Sequence, residues 1–313
     1  MDSEPLHDPS SVPPSMVPSP QGFPANIFLN DGGLRAGWRL LVYALFVTGL
    51  GFGVGIALFQ FVPPLHSLSF SVYLFADEAF CFLVVFGGAL IMARLERRPA
   101  GVYGLPLQDA FGKLFWQGCL FGLAEISALI GMVSAFGGYS FGSIALSGRE
   151  LFRWAILWAI FFILVGLFEE FLFRGYTLFT LAEGVGFWPA AILLSCLFGA
   201  VHLDNPGEDW EGAASVVTIG LVFAFALRRT GNLWFAVGWH ASFDFGETFL
   251  YSVPNSGVVF EGHLSNASLH GANWLTGGSV GPEGSVFSFV TMGISALAIH
   301  LLFPARNNKS APS

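Results

Sequence analysis

Long apolar runs, separated by short stretches rich in Gly, Pro and charge, set the pattern of this chain. Eight runs reach membrane-spanning length, at about 37–62, 70–93, 112–136, 151–181, 187–203, 213–228, 232–252 and 285–303. A hydrocarbon core of about 30 Å takes about 20 apolar residues in helical form. Turn chemistry fills the gaps: Pro63-Pro64, then RRPAGVYGLP, AFGGYSFG, LDNPGEDWEG and RRTGN. The pattern predicts an all-α fold, a polytopic transmembrane helical bundle of about eight spans. One membrane domain covers 34–303, and no internal repeat is visible. Residues 1–33 are rich in Pro, Ser and Asp and lack an apolar run, so they read as a disordered tail. They lack the basic-then-apolar pattern of a cleaved signal peptide.

Composition supports the same reading. Hydrophobic residues make up 54% of the chain and charged residues 11%, with a mean hydropathy of +0.66. A soluble domain carries about 25% charged residues. The net charge of −8 comes with no basic patch to grip phosphates, so no nucleic-acid partner is expected. Cys81, Cys119 and Cys196 all fall in apolar runs and read as core-packing thiols. Orientation follows from Lys and Arg near the ends of the runs. With the N-terminus inside, ten lie inside (Arg35, Arg39, Arg94, Arg97, Arg98, Lys113, Arg228, Arg229, Arg306 and Lys309) and two outside (Arg149 and Arg153). Both termini, including the short tail 304–313, are therefore expected in the cytoplasm, with the protein in the plasma (inner) membrane. The 253–284 loop then faces outward. It holds no Lys or Arg and reads either as a lid or as a tether without chemistry.

Against this background GLFEEFLFRG, residues 166–175, stands out. One ionisable residue at the centre of a membrane helix costs roughly 2.5–3.5 kcal/mol on insertion scales. Glu170 and Arg174 are four apart and share a helix face, so they can pair. Glu169 is rotated by about 100° and is left over. Later, LLSCLFGAVH ends an apolar run at His202, and WHASFD puts His240 and Asp244 four apart on one face. Counted from the inner end of each run at 1.5 Å per residue, Glu169 lies roughly 18 Å deep, His202 roughly 22 Å and His240 roughly 12 Å. Three helices thus bring a carboxylate and two imidazoles to middle depths, which favours one shared site. Two imidazoles and a carboxylate make a zinc site open to water. A Glu–His pair can also activate water without metal. Both lead to hydrolysis; a proton-coupled transporter or a non-catalytic scaffold is the alternative use of such a cluster. Asp77, Glu78, Glu125 and Glu247 are further acids within apolar runs, and the sequence gives them no role.

EEFLFR, FGAVH and HASFD, in this order and on separate runs, resemble the CPBP family of intramembrane proteases, which includes the CAAX prenyl endopeptidases. The family pattern is Glu-Glu-x-x-x-Arg, then Phe-x-x-x-His, then His-x-x-x-Asn or Asp. The resemblance covers about 150–250. It implies an intramembrane endopeptidase acting on a membrane-associated protein or peptide; bacterial-type relatives are linked to peptide processing and to bacteriocin self-immunity. By matching position, Glu169 would be the general base on water and His202 would bind or polarise that water. His240 and Asp244 would stabilise the oxyanion or bind metal, and Glu170 and Arg174 would hold the helix. Zinc on Glu169, His202 and His240 is one expectation, and a metal-free glutamate mechanism is the other. The third motif ends here in Asp, and an ionised carboxylate cannot donate to an oxyanion.

Overall fold

The structure, a computed structural model, describes residues 28–30, 33–61 and 70–304. Most of the expected tail over 1–33, the loop at Pro63-Pro64, and Arg306 and Lys309 lie outside the described residues. Helices dominate. They are α1 (Ala36–Phe61), α2 (Phe70–Leu95), α3 (Lys113–Ala135), α4 (Gly148–Arg174), α5 (Tyr176–Val185), α6 (Phe187–His202), α7 (Trp210–Thr230), α8 (Trp234–Phe245), the short α9 (Asn273–Thr276) and α10 (Val286–Leu302). A π-helical turn, Gly246–Leu250, continues α8. Strands among the described residues are two-residue pairs: β1 (Leu29–Asn30) with β2 (Gly33–Leu34), and β3 (Tyr139–Ser140) with β4 (Ser268–Leu269), both antiparallel.

Every expected run contains a helix, and the helices differ in length. Among the described residues, five segments are long and apolar enough to cross a membrane by length and composition: Ala36–Ile56, Tyr73–Leu95, Lys113–Ala135, Gly148–Val185 and Trp210–Thr230. The other three runs hold α6, α8 and α10, of 16, 12 and 17 residues. At 1.5 Å per residue α6 and α10 reach about 24–26 Å, and the π-helical turn to Leu250 lengthens α8 in the same way. The run 151–181 also divides, because α4 stops at Arg174 and α5 starts afresh at Tyr176. Gly175 makes the break: a Cβ there would lie 2.4 Å from the Phe171 carbonyl oxygen.

Packing explains why the bundle holds without a solvent-driven core. Helices α3 and α8 meet backbone to backbone. A Cβ on Gly118 or Gly122 would sit 2.0 Å from the Phe235 carbonyl oxygen or 2.2 Å from that of Trp239, and one on Gly238 would sit 2.2 Å from that of Phe115. Small residues four apart allow this close approach between membrane helices, where dispersion replaces the hydrophobic effect as the main attraction. The outward faces stay apolar, as lipid contact requires: Leu45, Phe52, Leu83, Trp116, Leu120 and Leu197 are all exposed. Cys196 is exposed too, so it is not the core thiol expected; Cys81 and Cys119 are half-buried, and all three are free.

Connecting segments form two groups by their contacts. In one, Arg39 and Arg98 bridge Glu96 and Glu183, Asn232 donates to Asp109 at 2.9 Å, and Trp234 Nε1 donates to the Pro106 carbonyl. In the other, β3 pairs with β4, Ala145 N–H donates to the Leu264 carbonyl, and Asn205 donates to the Ser256 carbonyl. The 253–284 segment belongs to the second group. Helix α7 leaves this group capped by Asp209, whose side chain accepts from Gly212 N–H at 3.0 Å, and ends at left-handed Gly231.

Candidate active site

The site is assembled around His240. Its helix, α8, is held against α3 by the glycine contacts and lies against α4 near Gly166, where a Cβ would stand 3.1 Å from the Val237 carbonyl. Nδ1 of His240 lies 3.0 Å from Glu170 Oε1. Since that partner is a carboxylate oxygen also held by Arg174 Nη1 at 3.1 Å, Nδ1 carries the proton and donates. On the other edge of the ring, Nε2 stands 3.5 Å from Glu169 Oε2 and 3.4 Å from Asp244 Oδ2. A bare lone pair between two carboxylates would be repelled, so a proton resides on Nε2 or is shared with one of its two acidic neighbours.

The ion pair expected from the i, i+4 spacing is therefore present, and it does more than pin a helix. Glu170 and Arg174 are 0% and 2% exposed. The guanidinium lies over the Phe198 ring, 4.3 Å from its centroid. Through Glu170 the pair reaches across to α8 and fixes the tautomer and orientation of His240. Sequence separation of 70 residues hid that link. Glu169, rotated away from Arg174 as its position on the helix requires, has a buried Oε2 without a hydrogen-bond partner.

His202 closes α6. Its Nδ1 lies 2.8 Å from the Phe198 carbonyl oxygen, which accepts, so the proton sits on Nδ1 and Nε2 keeps its lone pair. Glu169, His202, His240 and Asp244 line one cavity of about 200 Å³, so the structure brings all four expected catalytic residues to a common space. Phe161, Phe162, Phe198 and Phe223 supply much of its apolar wall, and His240 stacks on Phe223 with ring centroids 5.6 Å apart.

The expected metal trio is less well served. Among the described residues, no group of three or more His, Cys, Asp or Glu side chains is disposed to hold a metal ion. His240 Nδ1 on Glu170 and His202 Nδ1 on the Phe198 carbonyl are contacts that a metal-bound imidazole also makes through its second nitrogen, so they do not themselves bar a metal. The chemistry below is derived from side chains alone.

Several lining groups had no role in the sequence. Glu78 of the Asp77–Glu78 doublet lines the cavity, with Oε2 buried and unpartnered. Glu125 lines it from α3. Asn255, Ser256, Val258, Phe260 and Glu283 enter from the 253–284 segment. That segment is a roof rather than a bare tether. Glu283 Oε2 accepts from Ser256 N–H at 3.1 Å and from its hydroxyl at 2.7 Å, which folds the segment back on itself. Trp158 Nε1 donates to the Glu261 carbonyl and ties the segment to α4. The only forewarning in sequence was a long loop free of Lys and Arg.

No curated protein and no solved structure matches the chain. Residues 150–246 match the family model described as type II CAAX prenyl endopeptidase, Rce1-like. The match begins within α4 and ends just after α8, and so spans every one of the six residues read from the three motifs. Taken with the apolar spans, it marks an integral membrane protein whose residues 150–246 are similar to the type II CAAX prenyl endopeptidase, Rce1-like family.

Proposed function

We propose that the protein hydrolyses a peptide bond in a membrane-associated protein or peptide, with Glu169 as the base that activates water. The observation that carries this reading is the unpartnered Glu169 Oε2 facing His240 Nε2 at 3.5 Å in a cavity also lined by His202. Water in that space gives a proton to Glu169 while its oxygen adds to the scissile carbonyl. His202, with Nε2 free to accept, orients the water. His240 donates from Nε2 to the oxyanion, and Asp244 helps hold the ring in place as an acceptor beside Nε2. Glu169 then passes its proton to the amine nitrogen as the C–N bond breaks, which restores the site. A positioned base is worth about 10²–10⁴-fold and an oxyanion donor about 10²–10³-fold.

The two groups of connecting segments support an even number of crossings and a membrane domain over 34–303. With the basic asymmetry, they support cytoplasmic termini and residence in the plasma membrane. Comparing the membrane peptides of cells that carry the wild type or Glu169→Gln, by mass spectrometry, tests the hydrolytic reading. The amide keeps the shape of the side chain and removes its basicity, so the variant accumulates as a folded protein and uncleaved peptides appear. Identical peptide profiles would replace this reading with a scaffold or transporter.

A further inference from the structure

Glu125 forms no part of the mechanism above, yet it faces the same cavity from α3 and is 4% exposed. Trp239 Nε1 donates to its Oε2 at 2.7 Å. Oε1 is buried and has no hydrogen-bond partner. The hydroxyls of Thr291 and Ser295 lie within reach of the carboxylate, while Thr291 also donates to the Ser288 carbonyl at 2.9 Å and Ser215 and Ser288 bond each other at 2.8 Å. This differs sharply from Glu170, whose cation is supplied by Arg174 on the same helix. The acid on α3 has hydroxyls beside it, apolar flanks in Leu129 and Met292, and no Lys or Arg among the described lining residues.

We propose that Glu125 is the floor of a side-chain pocket that selects a lysine or arginine of the substrate near the scissile bond. The proposal rests on the hydrolytic reading for the bond that is cut, but not for the binding itself. A basic side chain suits the space in both its parts. Its methylene stem packs on the apolar flanks and its charged end meets the open carboxylate oxygen, a charge-assisted contact made where water is scarce. Five carboxylic residues line the cavity (Glu78, Glu125, Glu169, Asp244 and Glu283), and among the described lining residues there is no Lys or Arg. An acidic substrate side chain is therefore repelled, which adds rejection to attraction. A purely structural role would need only acceptors for Trp239 and the neighbouring hydroxyls, and glutamine keeps the one for Trp239.

The experiment uses the full-length protein in lipid nanodiscs and a set of acetylated apolar decapeptide amides that differ at one central position: lysine, arginine, norleucine or glutamate. Binding is followed by tryptophan fluorescence on the Glu169→Gln background, and cleavage is followed by mass spectrometry on the wild type. We expect lysine and arginine peptides to bind at least tenfold more tightly than the norleucine peptide, the glutamate peptide to bind worst, and Glu125→Gln to erase the order. Glu125→Asp keeps the charge on a shorter stem and moves the preference from lysine toward arginine, which keeps the test open if Glu125→Gln folds poorly. Equal binding of lysine and norleucine peptides, or a preference that survives Glu125→Gln, would overturn the pocket. A basic preference with no peptide cleaved by the wild type would instead overturn the hydrolytic reading and leave the pocket standing.

Discussion

Replacing Arg174 by methionine isolates the electrostatic core of the site. The guanidinium is 2% exposed, holds Glu170 Oε1 at 3.1 Å and covers the Phe198 ring at 4.3 Å. Methionine keeps much of the volume and removes the charge. Glu170, itself 0% exposed, is then left with His240 as its single hydrogen-bond partner. Breaking a buried pair from one side costs about 3–5 kcal/mol, because the other charge stays behind uncompensated. Removing both charges in Arg174→Met/Glu170→Leu is far milder, since apolar replacements of buried pairs are often neutral or better. What remains is the cost of His240 Nδ1–H losing its acceptor, about 1–3 kcal/mol. The double variant should thus recover about 2 kcal/mol relative to Arg174→Met. Reversible unfolding in mixed micelles, followed by circular dichroism, measures both. Activity should not recover with stability, because a ring free to shift by about 1 Å costs on the order of 10²-fold. The reasoning fails if Arg174→Met loses less than about 1 kcal/mol, or if the double variant is no more stable than the single one.

Other expectations are more local. Asp244→Asn keeps an acceptor beside His240 Nε2 and should retain activity; cleavage rate and bound zinc measured side by side check this, and loss of both would reinstate a metal centre. A cysteine at Gly271 should react with an impermeant thiol reagent in intact cells, and labelling only after the membrane is opened would invert the orientation. Burial, together with the charges of Glu283 and Asp209, pushes the Glu208 carboxyl up to about 7 from 4.5. Because the folded value is the higher one, its contribution to stability is fully present below about pH 4.5 and is lost as pH rises through about 7. Amide exchange around Gly207 and Gly257, corrected for intrinsic rates, should therefore quicken across that window, and Glu208→Gln should flatten the response.

What could be read from sequence follows the range over which each interaction acts. Glu170–Arg174 and His240–Asp244 are four residues apart, and helical geometry alone places each pair on a face. The meeting of Glu169, His202 and His240 followed from depth, because apolar run length sets position in a bilayer. The Glu170–His240 contact and the position of Glu78 depend on how α4, α8 and α2 pack, which periodicity does not encode. The helix break at Gly175 was hidden because hydropathy continues unbroken across it, while the backbone there approaches the Phe171 carbonyl too closely for any Cβ. Hydropathy marked the runs holding α6, α8 and α10 without showing that their helices are shorter than the rest. Glu283 gave no signal at all: a Pro-Glu-Gly turn in a loop says nothing about the cavity beneath it.

The glycine contact between α3 and α8 bears on where this protein begins and ends as a heritable and engineerable unit. Residues 150–246 carry the motifs, yet the helix against which α8 lies backbone to backbone is α3, before that stretch, and the roof over the cavity comes after it. The recognisable segment is thus a chemical signature and not a module that stands on its own. Cut free, α8 would expose a groove shaped for Gly118 and Gly122, and His240 would lose the rigid backing that sets its distance from Glu169. Transplanting this chemistry into another bundle requires a glycine-bearing helix in the same register. Trp116 and Leu120, on the lipid-facing side of that helix, are free to vary as the surrounding bilayer allows.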